Sequence, residues 1–165
     1  MRWAVVESPI GELSVAVDEV GVCGVRFGAV DGAPPASSLA GTAGMGLSRA
    51  VAELRSYFAG ELVDFTLPLS VRQGSEFERA VWGEMTRIPY GETRTYGQVA
   101  AIVGDVSAAR AVGVACNRNP IPVIVPCHRI VGAGGKLVGF GGGLPRKRQL
   151  LELEARVTFQ QAWGG

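Results

Sequence analysis

One tetrapeptide stands apart for its chemistry: Pro126-Cys127-His128-Arg129. It sets a thiol beside the only histidine of the chain. A neighbouring base or cation lowers a cysteine pKa from its usual ~8.5, and the thiolate is the nucleophile. Spacing alone leaves two readings equally open: an activated nucleophile, or a buried structural cysteine, which is the commoner fate of a free thiol. If Cys127 and His128 are both extended, their side chains point to opposite faces, and contact needs a bend or a bridging water. A papain-like hydrolase takes its histidine from a remote part of the chain, and no second histidine exists here. A thiol that fires once, without hydrolytic regeneration, needs less machinery. Metal chemistry is a poor fit, because Cys23, Cys116 and Cys127 are far apart and zinc sites draw on several Cys and His at short spacing.

The chain that must position these residues has 165 residues, 47% of them hydrophobic and 19% charged. That is enough apolar material for a core, which excludes wholesale disorder. The 24 glycines exceed the usual ~7% share about twofold, so many backbone positions are expected to need unusual dihedrals or close approach. The net charge of +1 excludes a histone-like protein. It conceals an asymmetry: residues 1–73 carry eight acids and five bases, whereas residues 74–156 carry seven acids and eleven bases. A basic second half hints at a polyanionic partner, although solvated faces produce the same pattern. The first residues reach Glu7 too early for the ~7–15 apolar residues of a signal peptide, and no run approaches the ~18 of a membrane span. The expectation is a reduced, soluble, cytoplasmic protein without membrane contact.

Trp3–Val6, Leu13–Val17 and Val20–Phe27 are short, rich in β-branched residues and separated by turn residues, predicting an antiparallel meander. Residues 28–46 read as a loop. Leu47, Val51, Leu54 and Phe58 fall at helical spacing, and Gly60 follows as a stop. Ser75-Glu76-Phe77-Glu78 is a capping box opening a helix that ends at Pro89-Tyr90-Gly91. Thr95 is expected to cap a helix through Val103, and Ser107 a second one from Ala108 to Asn117. Pattern alone does not separate a helix-turn-helix from an ordinary αα-hairpin. Ile121–Val125 reads as a short buried strand, two glycine-rich loops follow at 132–135 and 139–143, and Pro145 opens a last helix to Ala155.

Four segments in order resemble the O6-alkylguanine-DNA alkyltransferases, also called methylated-DNA–protein-cysteine methyltransferases. They are Ile88-Pro89-Tyr90-Gly91-Glu92-Thr93-Arg94-Thr95-Tyr96-Gly97, Ala108-Ala109-Arg110-Ala111-Val112-Gly113, Asn119 through Ile130, and Gly135-Lys136-Leu137 through Leu150-Leu151-Glu152-Leu153-Glu154. The dense likeness spans about Ser75 to Glu154, and the first half matches only in general character. The resemblance implies an α/β (α+β) fold. Residues 1–73 would form a small antiparallel sheet with a helix, and residues 74–165 a mainly helical, winged helix-turn-helix-like domain that binds DNA and holds the active site.

It further implies a stoichiometric repair reaction in which the alkyl group on guanine O6, and on thymine O4, moves to Cys127. His128 would take the thiol proton through a water, Glu154 would orient His128, and Asn119 would fix the active-site turn. Tyr96 would donate a proton to the leaving base. The Gly141 N–H would lie near O6, the carbonyls of Cys127 and Ile130 near the exocyclic amine, and Phe140 would wall the pocket. Phe140 stands where the family pattern has tyrosine, so the apolar face is kept and a hydroxyl is lost. Arg110 would fill the space of the flipped base, with Ala108, Ala109, Ala111 and Gly113 pressed into the minor groove. The implied protein is a monomer able to cluster on DNA, and needs no cofactor or metal. Some relatives carry zinc in the first domain, which the ligand count argues against here. A non-catalytic reader of alkylated DNA would not need Cys127. A helix-turn-helix regulator would give no reason for Cys127-His128-Arg129.

Overall fold

The computed structural model describes residues 1–39 and 45–164. The chain divides into two compact units, Met1–Arg72 and Gln73–Gly165. Unit 1 is a three-stranded antiparallel sheet of β1 (Arg2–Val6), β2 (Leu13–Val17) and β3 (Val22–Phe27) in sequential order. Arg2 pairs with Val17 and Val6 with Leu13, so Ser8-Pro9-Ile10-Gly11 closes the first hairpin as expected. β2 is the central strand and is buried at all five positions.

The third strand begins two residues later than its sequence pattern predicts. The backbone N–H groups of Val20 and Gly21 donate to Asp18 Oδ1 at 2.8 and 3.0 Å, which commits 18–21 to a turn. Helix α1 (Met45–Phe58) lies on β1 and β2 with Leu47, Ala50, Val51, Leu54 and Tyr57 buried. Gly60, at φ +78°, ends it in the left-handed conformation that glycine reaches without strain. Within the expected loop 28–46, Ala36–Ser38 forms a 3₁₀ turn, and residues 40–44 lie outside the described residues.

Unit 2 is mainly helical, as expected. Helix α2 (Glu76–Met85) begins with the predicted capping box: Ser75 Oγ accepts from Glu78 N–H, and Glu78 Oε1 accepts from Ser75 N–H. A two-residue strand β4 (Arg94–Thr95) leads into α3 (Tyr96–Val103), where Thr95 and Gln98 form a second such box. The next helix starts differently from its prediction. Ser107 is not the cap: Asp105 Oδ1 accepts from Ser107 N–H, a 3₁₀ turn covers Val106–Ala108, and α4 runs from Ala109 to Asn117. Trp82 Nε1 donates to Ala115 O at 2.8 Å, fastening α4 to α2.

The expected strand at Ile121–Val125 is absent. The segment is buried, but Val123 has φ +74° and Val125 N–H bonds back to Ile121 O at 2.8 Å. Its β-branched run records burial inside a tight turn rather than pairing, an ambiguity inherent in short apolar runs. The strand that does form is β5 (Ile130–Val131), parallel to β4. Helix α5 (Leu144–Trp163) continues eight residues past the predicted end at Ala155. The charge pattern stops there, but no glycine or proline interrupts the chain before Gly164. Among the described residues no helix is long and apolar enough to cross a membrane.

Candidate active site

Cys127, His128 and Arg129 form a single 3₁₀ turn and all three are buried. Ile130 N–H donates to Cys127 O, and Arg129 N–H to Pro126 O at 3.0 Å. The turn replaces the extended geometry that would have set the thiol and the imidazole on opposite faces. It is approached through Asn119, whose Oδ1 accepts from Ile121 N–H at 2.9 Å and whose Nδ2 donates to Val125 O at 2.8 Å. One side chain thus clamps both ends of the 121–125 turn, and it is among the groups that favour the Cys127 thiolate.

The imidazole is held from α5. His128 Nε2 lies 2.7 Å from Glu154 Oε2, and both side chains are almost fully buried. An ionised carboxylate only accepts, so Nε2 carries the proton and a neutral His128 presents Nδ1 as a lone pair. Nδ1 is buried and has no hydrogen-bond partner among the described residues. Glu154 is itself fixed by three other donors: Arg129 Nε at 2.8 Å, Arg129 Nη2 at 3.0 Å and Gly91 N–H at 3.1 Å. Arg129 Nη1 continues to Ile88 O at 2.7 Å. Gly91 sits at φ +81°, and a Cβ there would collide with Thr158, so glycine is required on two counts.

The electrostatics follow from this packing. Burial raises the Glu154 carboxyl, but the bonds and charges of His128 and Arg129 outweigh it and hold the group down at about 2. Burial lowers His128 below its ordinary value against the pull of Glu154, so the ring is neutral at physiological pH. Burial pushes the Cys127 thiol up to about 11, opposed by the Asn119 hydrogen bond and the Lys147 charge. A thiol this far from ionised in isolation needs a proton acceptor at the moment of reaction.

Tyr96 opens α3 and its hydroxyl donates to Val138 O at 2.8 Å, within the loop that precedes α5. Its ring faces Gly113 of α4, where a Cβ would approach to 3.8 Å. Burial raises the Tyr96 phenol to about 12, keeping it a donor. Ile130 is fully buried in β5, Phe140 is half-buried and Gly141 exposed in the glycine-rich loop. Arg110 and Ala111 are exposed on α4, Ala109 and Gly113 are half-buried, and half-buried Ala108 is the residue preceding the helix. The structure therefore gathers Cys127, His128, Glu154 and Asn119 into one hydrogen-bonded centre. It places Tyr96 between α4 and the loop, and the remaining α4 residues along a surface.

Sequence reasoning assigned no role to two residues that the structure ties to this site. Arg129 locks Glu154. Lys147 is completely buried on α5, its Nζ 3.2 Å from both Val138 O and Gly139 O. The signal for Lys147 was its spacing: it falls on the same helical stripe as Leu150, Leu153, Glu154 and Val157.

The family model for the 6-O-methylguanine DNA methyltransferase DNA-binding domain matches residues 76–156, and that for the ribonuclease-like domain of the same proteins matches residues 1–71. A methylated-DNA–protein-cysteine methyltransferase of Mycolicibacterium paratuberculosis is 47% identical over 94% of this chain and 93% of its own. One of Methanosarcina acetivorans is 47% identical over 93% and 98%, respectively. The crystal structure of Mycobacterium tuberculosis OGT in complex with DNA matches with a TM-score of 0.83 and 42% identity, over 95% of this chain and 94% of that one. With both domain models matched in order, and relatives this similar across nearly the whole length, the chain belongs to the 6-O-methylguanine DNA methyltransferase family.

Proposed function

We propose that this protein is a methylated-DNA–protein-cysteine methyltransferase that repairs O6-alkylguanine, and also O4-alkylthymine, by moving the alkyl group onto its own Cys127. The observation that carries the reading is the buried pair of Glu154, on α5, with His128, in the same turn as Cys127, the imidazole's second nitrogen having no hydrogen-bond partner among the described residues. His128 Nδ1 takes the Cys127 proton through a water. The thiolate attacks the alkyl carbon, an S–C bond forms, the C–O6 bond breaks, and its electron pair leaves with the purine. Tyr96 donates a proton to that base, the Gly141 N–H stabilises O6, and the carbonyls of Cys127 and Ile130 recognise the exocyclic amine beside Phe140. Asn119 keeps the turn in place. The product is a thioether with no second base to activate water against it, so each chain reacts once.

The base must leave the duplex to reach a buried thiol. In this reading α3 and α4 act as a helix-turn-helix whose second helix enters the minor groove, with Ala108, Ala109, Ala111 and Gly113 permitting close approach and Arg110 filling the vacated stack. Residues 74–165 carry the whole reaction and residues 1–73 support it. All reacting groups come from one chain, which suits a monomer that can cluster along DNA. Cys127 must stay a free thiol, which suits the reducing cytoplasm.

The test is mass spectrometry after incubation with duplex containing O6-methylguanine. One methyl should map to the Cys127 peptide and product should plateau at one per chain; sustained turnover, or labelling mainly at Cys116, would overturn the reading. Arg110→Ala should slow repair of duplex yet leave reaction with free O6-benzylguanine unchanged. Equal slowing on both substrates would remove the finger role.

A further inference from the structure

A fully buried lysine amine is expensive to keep, and this one has no carboxylate within ion-pair distance among the described residues. What holds Lys147 Nζ is the backbone of the pocket loop, Val138 O and Gly139 O at 3.2 Å each, and the Tyr96 ring with its centroid 5.8 Å away. Val138 O is shared: it also accepts the Tyr96 hydroxyl at 2.8 Å. Gly139, at φ +60°, lies close enough for its Cβ position to reach the same hydroxyl at 3.9 Å. So the phenol that would serve the base is occupied by a carbonyl in the free protein, and a second donor is already bound to that carbonyl.

We propose that Lys147 is a positioning residue for Tyr96: it pins the Val138–Gly139 backbone and keeps Val138 O satisfied, so that the Tyr96 hydroxyl can pass from Val138 O to an incoming base at little cost. The proposal rests on the alkyl-transfer reading above. Without Lys147, release of the hydroxyl strands the Val138 carbonyl, and the loop that carries Phe140 and Gly141 loses its anchor. The phenol would then stay on Val138 O and the loop would drift from the reacting atoms.

The test is a double-mutant cycle with Lys147→Met, Tyr96→Phe and both together, read as single-turnover transfer from O6-benzylguanine. Met fills the space of the lysine stem without the amine. If Lys147 acts through Tyr96, Lys147→Met slows transfer about tenfold or more, and the double variant is no slower than Tyr96→Phe, because the two changes remove one unit. Labelling of Cys127 by iodoacetamide across pH supplies a readout independent of the base; without the Lys147 charge its profile should move to higher pH, but by much less than the transfer rate falls. Multiplicative losses in an active parent overturn this proposal alone, as does an iodoacetamide profile displaced by as much as the transfer rate, since Lys147 would then act on the thiol. A Tyr96→Phe variant as fast as the parent also overturns it. A parent that transfers nothing overturns the alkyl-transfer reading and this proposal together. Should Lys147→Met fail to unfold cooperatively, Lys147→Gln carries the same cycle.

Discussion

Unit 1 holds a cysteine, a carboxylate and an arginine in one cluster, Cys23, Asp18 and Arg72; unit 2 holds Cys127, Glu154 and Arg129. Both carboxylate side chains are about 1% exposed and both are held well below the usual range, Asp18 first of all by the Ser70 hydroxyl. They differ in where their bonds end. Asp18 accepts from Ser70 Oγ at 2.6 Å, Arg72 Nε at 2.7 Å and the N–H groups of its own turn, so its bonds hold that turn and tie the hairpin to the segment leaving the sheet. After burial, Asp18 is the next influence that raises the Cys23 thiol, because a negative charge disfavours a thiolate. In unit 2 a histidine stands between. Glu154 spends its charge on the imidazole and Arg129, and in the proposed reaction the ring passes the effect on as a base at Nδ1. A carboxylate beside a thiol suppresses it; in the proposed reaction a carboxylate acting through a histidine helps to remove the thiol's proton.

The largest effect should come from exchanging the thiols. Cys127→Ser is expected to abolish transfer, whereas Cys23→Ser should leave it unchanged, as quantified by labelled methyl retained on protein. Transfer by Cys127→Ser would break the comparison at its root. Next comes the relay. His128→Ala should slow transfer about a hundredfold or more, the usual contribution of a positioned base. Glu154→Gln should slow it similarly and also destabilise the fold by about 3–5 kcal/mol, because the buried Arg129 guanidinium loses its charge partner. Urea unfolding of the two variants separates these effects: His128→Ala keeps the Arg129–Glu154 bonds, and a stability loss matching that of Glu154→Gln would show that the histidine is structural.

The parts that are visible in sequence and the parts that are not divide along a physical line. Local capping chemistry is legible: the Ser75–Glu78 box, Thr95 as a cap, and Gly60 as a stop all act over four residues or fewer. The 121–125 turn was not, because a buried turn and a buried strand share the same apolar composition, and only the left-handed Val123 distinguishes them. Ser107 does not cap α4 because Asp105 opens a 3₁₀ turn over Val106–Ala108, and the helix follows it with Ala108 at the cap position and no side-chain bond there. In the site, adjacency singles out Cys127 and His128 without deciding between a nucleophile and a structural thiol, and Glu154 enters only through the family resemblance. Lys147 went unassigned because its partners, the Val138 and Gly139 carbonyls, are backbone atoms that carry no sequence signature, and Arg129 because its carboxylate partner, Glu154, lies 25 residues away on another element.

Acid should act on both titrating groups of the unit 2 centre in the same direction. Unfolded His128 gains a proton near its ordinary 6.5, while burial keeps the folded ring neutral to lower pH. Unfolded Glu154 gains one near 4.5, while the folded group stays ionised down to about 2. In each case the unfolded state binds more protons, so stability present at neutral pH is lost on acidification. The loss begins below pH 6.5 and steepens from 4.5 toward 2. Glu154→Gln should flatten the lower limb in a pH series of urea midpoints; an unchanged limb would mean that Glu154 is not held low. Transfer should persist below pH 6.5, because His128 remains a base there.

The smallest effect on chemistry, and the sharpest check on the contrast, belongs to unit 1. Ser70→Ala removes the first influence holding Asp18 down and one hydrogen bond, worth about 1 kcal/mol of stability. The neighbouring ties, Val22 N–H to Pro68 O and Ser70 N–H to Val22 O, are backbone bonds and survive the change. The urea midpoint should therefore fall modestly. The rate of transfer to Cys127 should match the parent, since no Asp18 bond reaches a reacting group. Asp18→Asn extends the test: the amide cannot accept at every position where the carboxylate did, so the midpoint falls further, and Cys23 becomes more reactive toward iodoacetamide as the nearby negative charge disappears. A Cys23 no more reactive in Asp18→Asn would mean that burial alone sets its thiol, and the contrast between direct and histidine-mediated carboxylates would lose its first half.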